Sequence, residues 1–264
     1  MEFLKRATAP LTSKAWKEID ERAKEILKAN LYARRIVDVH GPLGWQFSAL
    51  PLGEVDVKSD ETEKVQWGIR KILPVIELRT PFKLNIWGLD NLERGSQNPD
   101  LTALEDAAKQ CAKFEDDLVL FGCQDYGIKG LIDVARERNV GASKEPSKFI
   151  SSVQKAIEVL KEDGISAPYN LLISNDIWKE LIANSYFYQL NNTLSALLEG
   201  GKVIPTPRID EAIVIAQGNH FKLFIGQDFS IGYEGNNETE VKLFITETLT
   251  FYIANPLGLV GLKF

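Results

Sequence analysis

Two short alternating segments constrain this chain most, because they predict a projecting arm that has no core of its own. Val55 and Val57 alternate with polar residues. After a polar turn, Val65, Trp67 and Ile69 alternate in the same way. Alternation with a period of two is typical of strands that bury one face. We therefore predict a long hairpin with one apolar face. A hairpin alone is marginally stable in water, so this face needs a partner, and a neighbouring subunit is one candidate.

Longer elements surround the predicted arm. Thr12 is a suitable N-cap for a helix over 13–34, and a second apolar stripe predicts a spine helix over 101–121. A third strand is expected to carry Trp87 on its polar face, and a long alternating strand over 241–253 includes one acid, Glu247. We expect Glu247 to pair with a nearby base. Helices and strands fall in blocks, so the predicted class is α+β.

Composition and charge exclude several classes of function. The 264 residues include 31 Lys and Arg against 37 Asp and Glu, which gives a net charge of −6. That balance argues against a general nucleic-acid binder. Two histidines and two cysteines offer little material for a metal centre or a disulfide framework. We expect reduced thiols, a cytoplasmic location and no membrane span.

The chain shows no recognisable catalytic motif. Phosphate-binding, dinucleotide-binding, nucleophile-elbow and zinc-protease patterns are all missing. The acidic pair Asp116 and Asp117 lies on the predicted spine helix, where we expect a solvated face. These observations favour a structural or assembly role over an enzyme.

Seven segments spread along the chain resemble the encapsulins, the linocin-like shell proteins of bacterial and archaeal nanocompartments. They are MEFLKR with APLT, LYARRIVDVHGPLGW (31–45), PLGEVDV (51–57), LPVIELR (73–79), WGLDNLERG (87–95), FIGQDFSIGYE (224–234) and LFITETLTFYIANP (243–256).

The resemblance implies the fold of tailed-bacteriophage major capsid proteins, with a P-domain, an E-loop and an A-domain. The predicted arm would be the E-loop, which buries its apolar face against an adjacent subunit. The implied divisions are 1–47 for the first part of the P-domain, 48–92 for the E-loop, 93–132 for the spine helix, 133–217 for the A-domain, and 218–264 for the C-terminal strands of the P-domain.

The resemblance also implies partners. The chain would assemble into a closed shell, with about sixty copies in the smallest, T=1 form. The shell would enclose a cargo enzyme, such as a ferritin-like iron-storage protein or a peroxidase, through a terminal targeting peptide. The implied docking residues are Leu31, Arg34, Ile36, Asp38, Phe229, Ile231 and Tyr233. Spacing alone would instead make Arg34 and Asp38 a surface i,i+4 ion pair.

Two further sites are implied by the resemblance. A pore at the five-fold axis would be lined by Asn184, Ser185, Tyr186, Phe187 and Tyr188. A flavin such as FMN would stack on Trp87, with Arg79 near it to hold a phosphate.

Other functional classes stay open at the level of sequence. A viral major capsid protein would have the same fold. A bacteriocin or protease is disfavoured because no nucleophile–base pair is visible. An ordinary small enzyme would be a monomer or a small oligomer.

Overall fold

A computed structural model describes residues 3–59, 64–183 and 187–264. The chain divides into two compact units. The first unit contains residues 1–31, 41–115 and 224–250, and the second contains residues 32–40, 116–223 and 251–264.

Helices and strands follow one another in blocks, as an α+β class requires. The helices are α1 (Ser13–Asn30), α2 (Ile86–Glu93), α3 (Thr102–Phe121), α4 (Leu131–Glu137), α5 (Pro146–Glu162), α6 (Asn175–Ala183) and α7 (Phe187–Leu197). The strands are β1 (Asp38–His40), β2 (Ala49–Val57), β3 (Gly68–Pro74), β4 (Ile76–Asn85), β5 (Gly122–Cys123), β6 (Ile128–Lys129), β7 (Asn139–Gly141), β8 (Tyr169–Ser174), β9 (Val203–Thr206), β10 (Ala212–Ala216), β11 (Phe221–Ile225), β12 (Ser230–Asn236), β13 (Glu240–Ile253) and β14 (Leu259–Lys263).

Helix α1 begins where the sequence predicts and ends earlier. The Thr12 side chain accepts a hydrogen bond from the Ala15 N–H at 3.1 Å, which caps the first turn. The helix buries one face, whose members are Ala15, Ile19, Ala23 and Leu27. It ends at Asn30 because Leu31 takes an extended conformation. The prediction of one helix through residue 34 is therefore wrong, and Arg34 lies in a separate short turn over Ala33–Arg35.

The long strand β13 organises the sheet of the first unit. It pairs antiparallel with β4 on one side and with β12 on the other, so that Leu243 lies opposite both Phe82 and Tyr233. The predicted third strand ends sooner than expected. The Asn85 side chain accepts the Gly88 N–H at 3.0 Å and caps helix α2, so Trp87 belongs to a helix and not to a strand.

The N-terminal segment lies along the edge of β12 that faces away from β13. The Tyr233 N–H donates to the Leu4 carbonyl at 2.8 Å. Arg6 donates to the Ile231 carbonyl at 3.5 Å and forms an ion pair with Asp20 of α1 at 2.6 Å. Its guanidinium also lies 4.0 Å from the Trp16 ring centroid. Arg6 therefore ties the N-terminal segment to both β12 and α1.

The second unit is built on a five-stranded sheet with the order β7-β14-β10-β8-β9. Every residue of β8 and β10 is buried. Helices α5, α6 and α7 supply apolar side chains to the core around these strands, including Phe149, Leu181 and Leu194. Val260 and Leu262 of β14 join the same core. The predicted grouping of 218–264 into one domain is thus divided between the two units at residues 223/224 and 250/251.

Within the described ranges, no helix combines the length and the apolar character needed to cross a membrane.

Candidate assembly and docking surfaces

The arm is a two-stranded hairpin, β2 with β3, whose large apolar side chains face solvent. Their exposed fractions run from 53% for Trp67 to 67% for Val57, with Val55, Ile69 and Ile72 between these values. Large apolar side chains exposed together mark an interaction surface.

The strand register shows that the arm has two apolar faces. Val57 pairs with Gly68, and Asp56 pairs with Ile69. Cross-strand partners share a face and neighbours alternate, so Ile69 lies opposite the side that carries Val57. We call the side with Val55, Val57 and Ile72 the valine face, and the side with Trp67 and Ile69 the tryptophan face. The prediction of a single apolar face is therefore wrong.

A bulge and a glycine mark the pairing of the two strands. The pairing shifts between Pro51, opposite Ile72, and Val55, opposite Arg70, so β2 contains two extra residues there, and Pro51 and Val55 stay on the same face. At Gly68 a Cβ atom would lie 2.6 Å from the Cγ1 atom of Val55. Only glycine allows the two strands to approach this closely.

The predicted docking residues divide between the two units. In the first unit, Leu31 caps α1 and is buried, and Ile231 of β12 is also buried. Phe229 and Tyr233 flank Ile231 and are half-buried. Because the N-terminal segment covers the β12 edge at residues 231–233, a peptide reaching this region meets side chains and not a free strand edge.

The other predicted docking residues belong to the second unit. Ile36 is buried, with 4% of its surface exposed, whereas Arg34 and Asp38 are half-buried. Arg34 lies in the short turn and Asp38 begins strand β1. The two residues do not share a helix, so the alternative of a helical i,i+4 pair is wrong.

A buried carboxylate holds the turn that carries Arg34. Asp116, on α3, is fully buried and accepts the backbone N–H groups of Tyr32 and Ala33 at 3.0 and 2.8 Å. Arg208 donates to its other oxygen at 3.2 Å. The prediction that Asp116 lies on a solvated face is wrong. Sequence reasoning missed this positioning role because the donors come from segments distant in the chain.

Asp38 carries a carboxylate oxygen that solvent does not reach. Its Oδ2 atom is buried and has no hydrogen-bond partner among the described residues. Buried acceptors almost always have a donor in folded proteins, so this atom is an exception within the described ranges.

The predicted flavin residues lie on consecutive elements of the first unit. Trp87 is 68% exposed on α2 and offers an open ring face. Arg79 lies on β4 with its guanidinium 3.5 Å from the Phe244 ring centroid. A flavin at these two residues stays a prediction.

The predicted pore segment gives no geometry. Asn184, Ser185 and Tyr186 lie outside the described residues, and Phe187 and Tyr188 begin α7 with side chains that are also outside the description. Across the described ranges, no group of His, Cys, Asp and Glu side chains is arranged to hold a metal ion.

Comparison with known proteins gives the family. The profile of a family described as "Encapsulating protein for peroxidase" matches residues 1–250. A type 1 encapsulin shell protein of Brevibacterium linens is 34% identical over 253 residues, which are 95% of each chain. A type 1 encapsulin shell protein of Mycobacterium tuberculosis is 33% identical over 95% of each chain. This chain belongs to the encapsulin shell proteins. The family predicted from the seven segments is confirmed.

Solved structures show the fold of this encapsulin. A virus-like particle from Pyrococcus furiosus has a TM-score of 0.63 at 17% identity and covers 94% of this chain and 98% of its own. The capsid of Myoviridae phage XM1 has a TM-score of 0.56 at 11% identity, over 88% and 90% of the two chains. The predicted capsid fold is confirmed. The viral alternative has likeness of fold alone, whereas the encapsulin relatives match in sequence over nearly the whole chain.

Proposed function

We propose that this encapsulin uses both faces of its arm to join about sixty copies into a closed T=1 shell around a cargo enzyme. The observation that carries the proposal is the pair of exposed apolar faces. Each buried valine contributes about 1.5 kcal/mol, and these side chains have no partner surface within the described hairpin. The role is structural, with no catalytic step of its own.

The mass of the purified particle tests the assembly. Sixty copies of a 29.6 kDa chain weigh about 1.8 MDa. Mass photometry should show this species and almost no monomer at micromolar concentration. A dominant species near the mass of one chain would refute the shell. Discrete particles of much larger mass would refute T=1 alone.

The cargo is proposed to be a redox enzyme held in a cytoplasmic compartment, either a peroxidase or a ferritin-like iron-storage protein. A family description and one relative support this class. The family description names a peroxidase, and a protein of Kuenenia stuttgartiensis, 22% identical over 94% of this chain, is a diheme-cytochrome–encapsulin shell fusion. The cargo would carry a terminal targeting peptide.

Docking of that peptide would rest on the accessible members of the predicted set. Leu31, Ile36 and Ile231 are buried, each within its own unit. In the first unit, Phe229 and Tyr233 offer half-buried aromatic surface that suits the apolar side chains of an extended peptide. In the second unit, Asp38 is half-buried and its carboxylate suits a basic or amide group.

Charge reversal at Asp38 tests the docking site. Asp38→Arg should lower cargo loading about tenfold, because it replaces an acceptor with a like charge facing the peptide. Asp176→Arg is the matched control, since that side chain is 91% exposed on α6. Loading is measured as the cargo-to-shell ratio in purified particles. Equal loading of both variants, with intact shells, would place the pocket elsewhere.

Two smaller proposals concern the openings and the outer surface. A pore lined by 184–188 predicts that Tyr186→Asp alters ion entry and leaves assembly intact, and unchanged entry would exclude it. A flavin would stack on the exposed ring of Trp87, with Arg79 to hold its phosphate. Particles should then absorb at about 450 nm, and Trp87→Ala should abolish this absorption.

A further inference from the structure

A groove on the second unit is lined by two cationic side chains and the edge of a sheet. Its lining is Arg35, Lys202, Val203, Ile204 and Pro205, around a volume of about 440 Å³. Both cationic side chains are exposed. Among the described lining residues there is no acid, although acids outnumber bases in the chain as a whole. The described lining therefore carries two cationic side chains and no carboxylate.

A single buried amide fixes the backbones of both cationic residues. Asn170, 2% exposed on β8, donates to the Arg35 carbonyl at 3.4 Å and accepts the Lys202 N–H at 2.9 Å. The preceding Gly201 has no space for a side chain, because a Cβ atom would lie 1.5 Å from the Tyr169 carbonyl oxygen. The fold thus fixes the backbone positions of Arg35 and Lys202 beside the groove.

Strand β9 leaves hydrogen-bonding groups free at the groove. It is an edge strand and pairs with β8 in parallel, with Val203 opposite Leu171. The Leu171 N–H donates to the Lys202 carbonyl at 2.9 Å. In such a ladder the N–H and C=O of Val203 point away from β8. Pro205 has no N–H, so the edge offers one short hydrogen-bonding step and not a long template.

These features suit a peptide, because an extended chain satisfies an edge strand and a carboxylate satisfies the cations. The Arg35 guanidinium lies 4.9 Å from the Tyr32 ring centroid, which favours a fixed orientation. We propose that this groove binds a short, extended, acidic peptide segment of a partner protein. One backbone step at Val203 would set its register, and Lys202 and Arg35 would bind its carboxylates. None of the lining residues belongs to the docking set proposed above, although Arg35 lies next to Arg34 in the short turn.

Peptide binding to assembled particles tests the proposal. The probe is a fluorescent, end-blocked pentapeptide of alternating valine and glutamate, compared with its glutamine counterpart by anisotropy. We expect saturable binding of the glutamate peptide that weakens as salt rises from about 50 to about 300 mM. Lys202→Glu should weaken binding about tenfold. Lys155→Glu, on the exposed side of α5, makes the same charge change and should have no effect.

Three results would overturn the proposal. Equal affinity for the glutamate and glutamine peptides would remove the carboxylate from recognition. Equal loss of peptide binding in the Lys202→Glu and Lys155→Glu variants would show that the effect comes from net charge alone. No saturable binding to intact particles would mean that a neighbouring copy covers the groove.

Discussion

The arm of the first unit and the central strands of the second both carry branched apolar side chains, in opposite surroundings. Strands β8 and β10 are buried at every position, because helices and β14 pack against them. In the arm, the valine and isoleucine side chains Val55, Val57, Ile69 and Ile72, and Trp67 just before β3, stay more than half exposed. Apolar residues in the sheet complete a core within one chain. Under the proposed assembly, another chain buries the same residue types in the arm, so stability and assembly would be linked in this encapsulin.

The largest effect is expected in the buried sheet. Val214 of β10 is fully buried between Leu171 and Val260. Val214→Asp places an unpaired charge there, at a cost of more than about 4 kcal/mol. The variant should be insoluble or unfolded by circular dichroism. Ser151→Asp adds the same charge to an exposed position of α5 and should leave soluble particles. A soluble Val214→Asp shell with unchanged melting would contradict the contrast.

Charges on the arm should instead remove assembly and preserve the fold of the chain. Val57→Asp alters the valine face, and Ile69→Asp alters the tryptophan face. If each face packs against a neighbouring copy, each variant alone should shift the mass from particles to small species with a native-like spectrum. Val57→Ile and Ile69→Val are the conservative controls. Normal assembly of one aspartate variant would show that its face stays uncovered in the shell.

Ion pairs should differ in the same way as apolar contacts. Asp116→Ala leaves buried donors of the turn and Arg208 without their acceptor, and we expect a loss of about 3–5 kcal/mol. Glu240→Ala removes an exposed partner of Lys83, 2.9 Å away, and should cost less than about 1 kcal/mol. Thermal melting of both variants compares them. Similar melting temperatures would mean that the Asp116 network is unimportant.

The smallest effect is expected at Glu211, a partly buried acid of the second unit. Burial raises the pKa of Glu211 above its usual 4.5, Asp210 adds to this rise, and Arg136 opposes it. A raised carboxyl pKa means that ionisation costs stability at neutral pH, and that the cost disappears below the unfolded pKa. Glu211→Gln should therefore raise the melting temperature slightly at pH 7. The difference should close as the pH falls through 4.5, and a gap that widens on acidification would contradict this.

Periodicity predicted the long elements well. The Thr12 cap, the spine helix and the long strand β13 all appear, because each depends on residues close in sequence. The arm appears too, but the sequence predicts one apolar face and the structure has two. Face assignment depends on register, and here Asp56 pairs with Ile69, a register that alternation within each strand does not specify.

The docking surface shows a second limit of sequence reasoning. The sequence predicts pocket residues at Leu31, Ile36 and Ile231. In the structure, less than a tenth of the surface of each is exposed to solvent. Apolar character does not tell a core residue from a binding residue. Exposure separates the two, and exposure is a property of the packed chain.

The sequence by itself determined the family, the α+β class and the presence of the arm, since motifs and alternation are local. The tertiary structure decided what each polar group does. Asp116 and Asn170 have ordinary positions in the sequence, and both are buried in the fold. Asp116 accepts the Ala33 N–H in the short turn, and Asn170 accepts the Lys202 N–H before β9. A hydrogen bond is directional and short, so its partners are known only when distant segments have been brought within about 3 Å of each other.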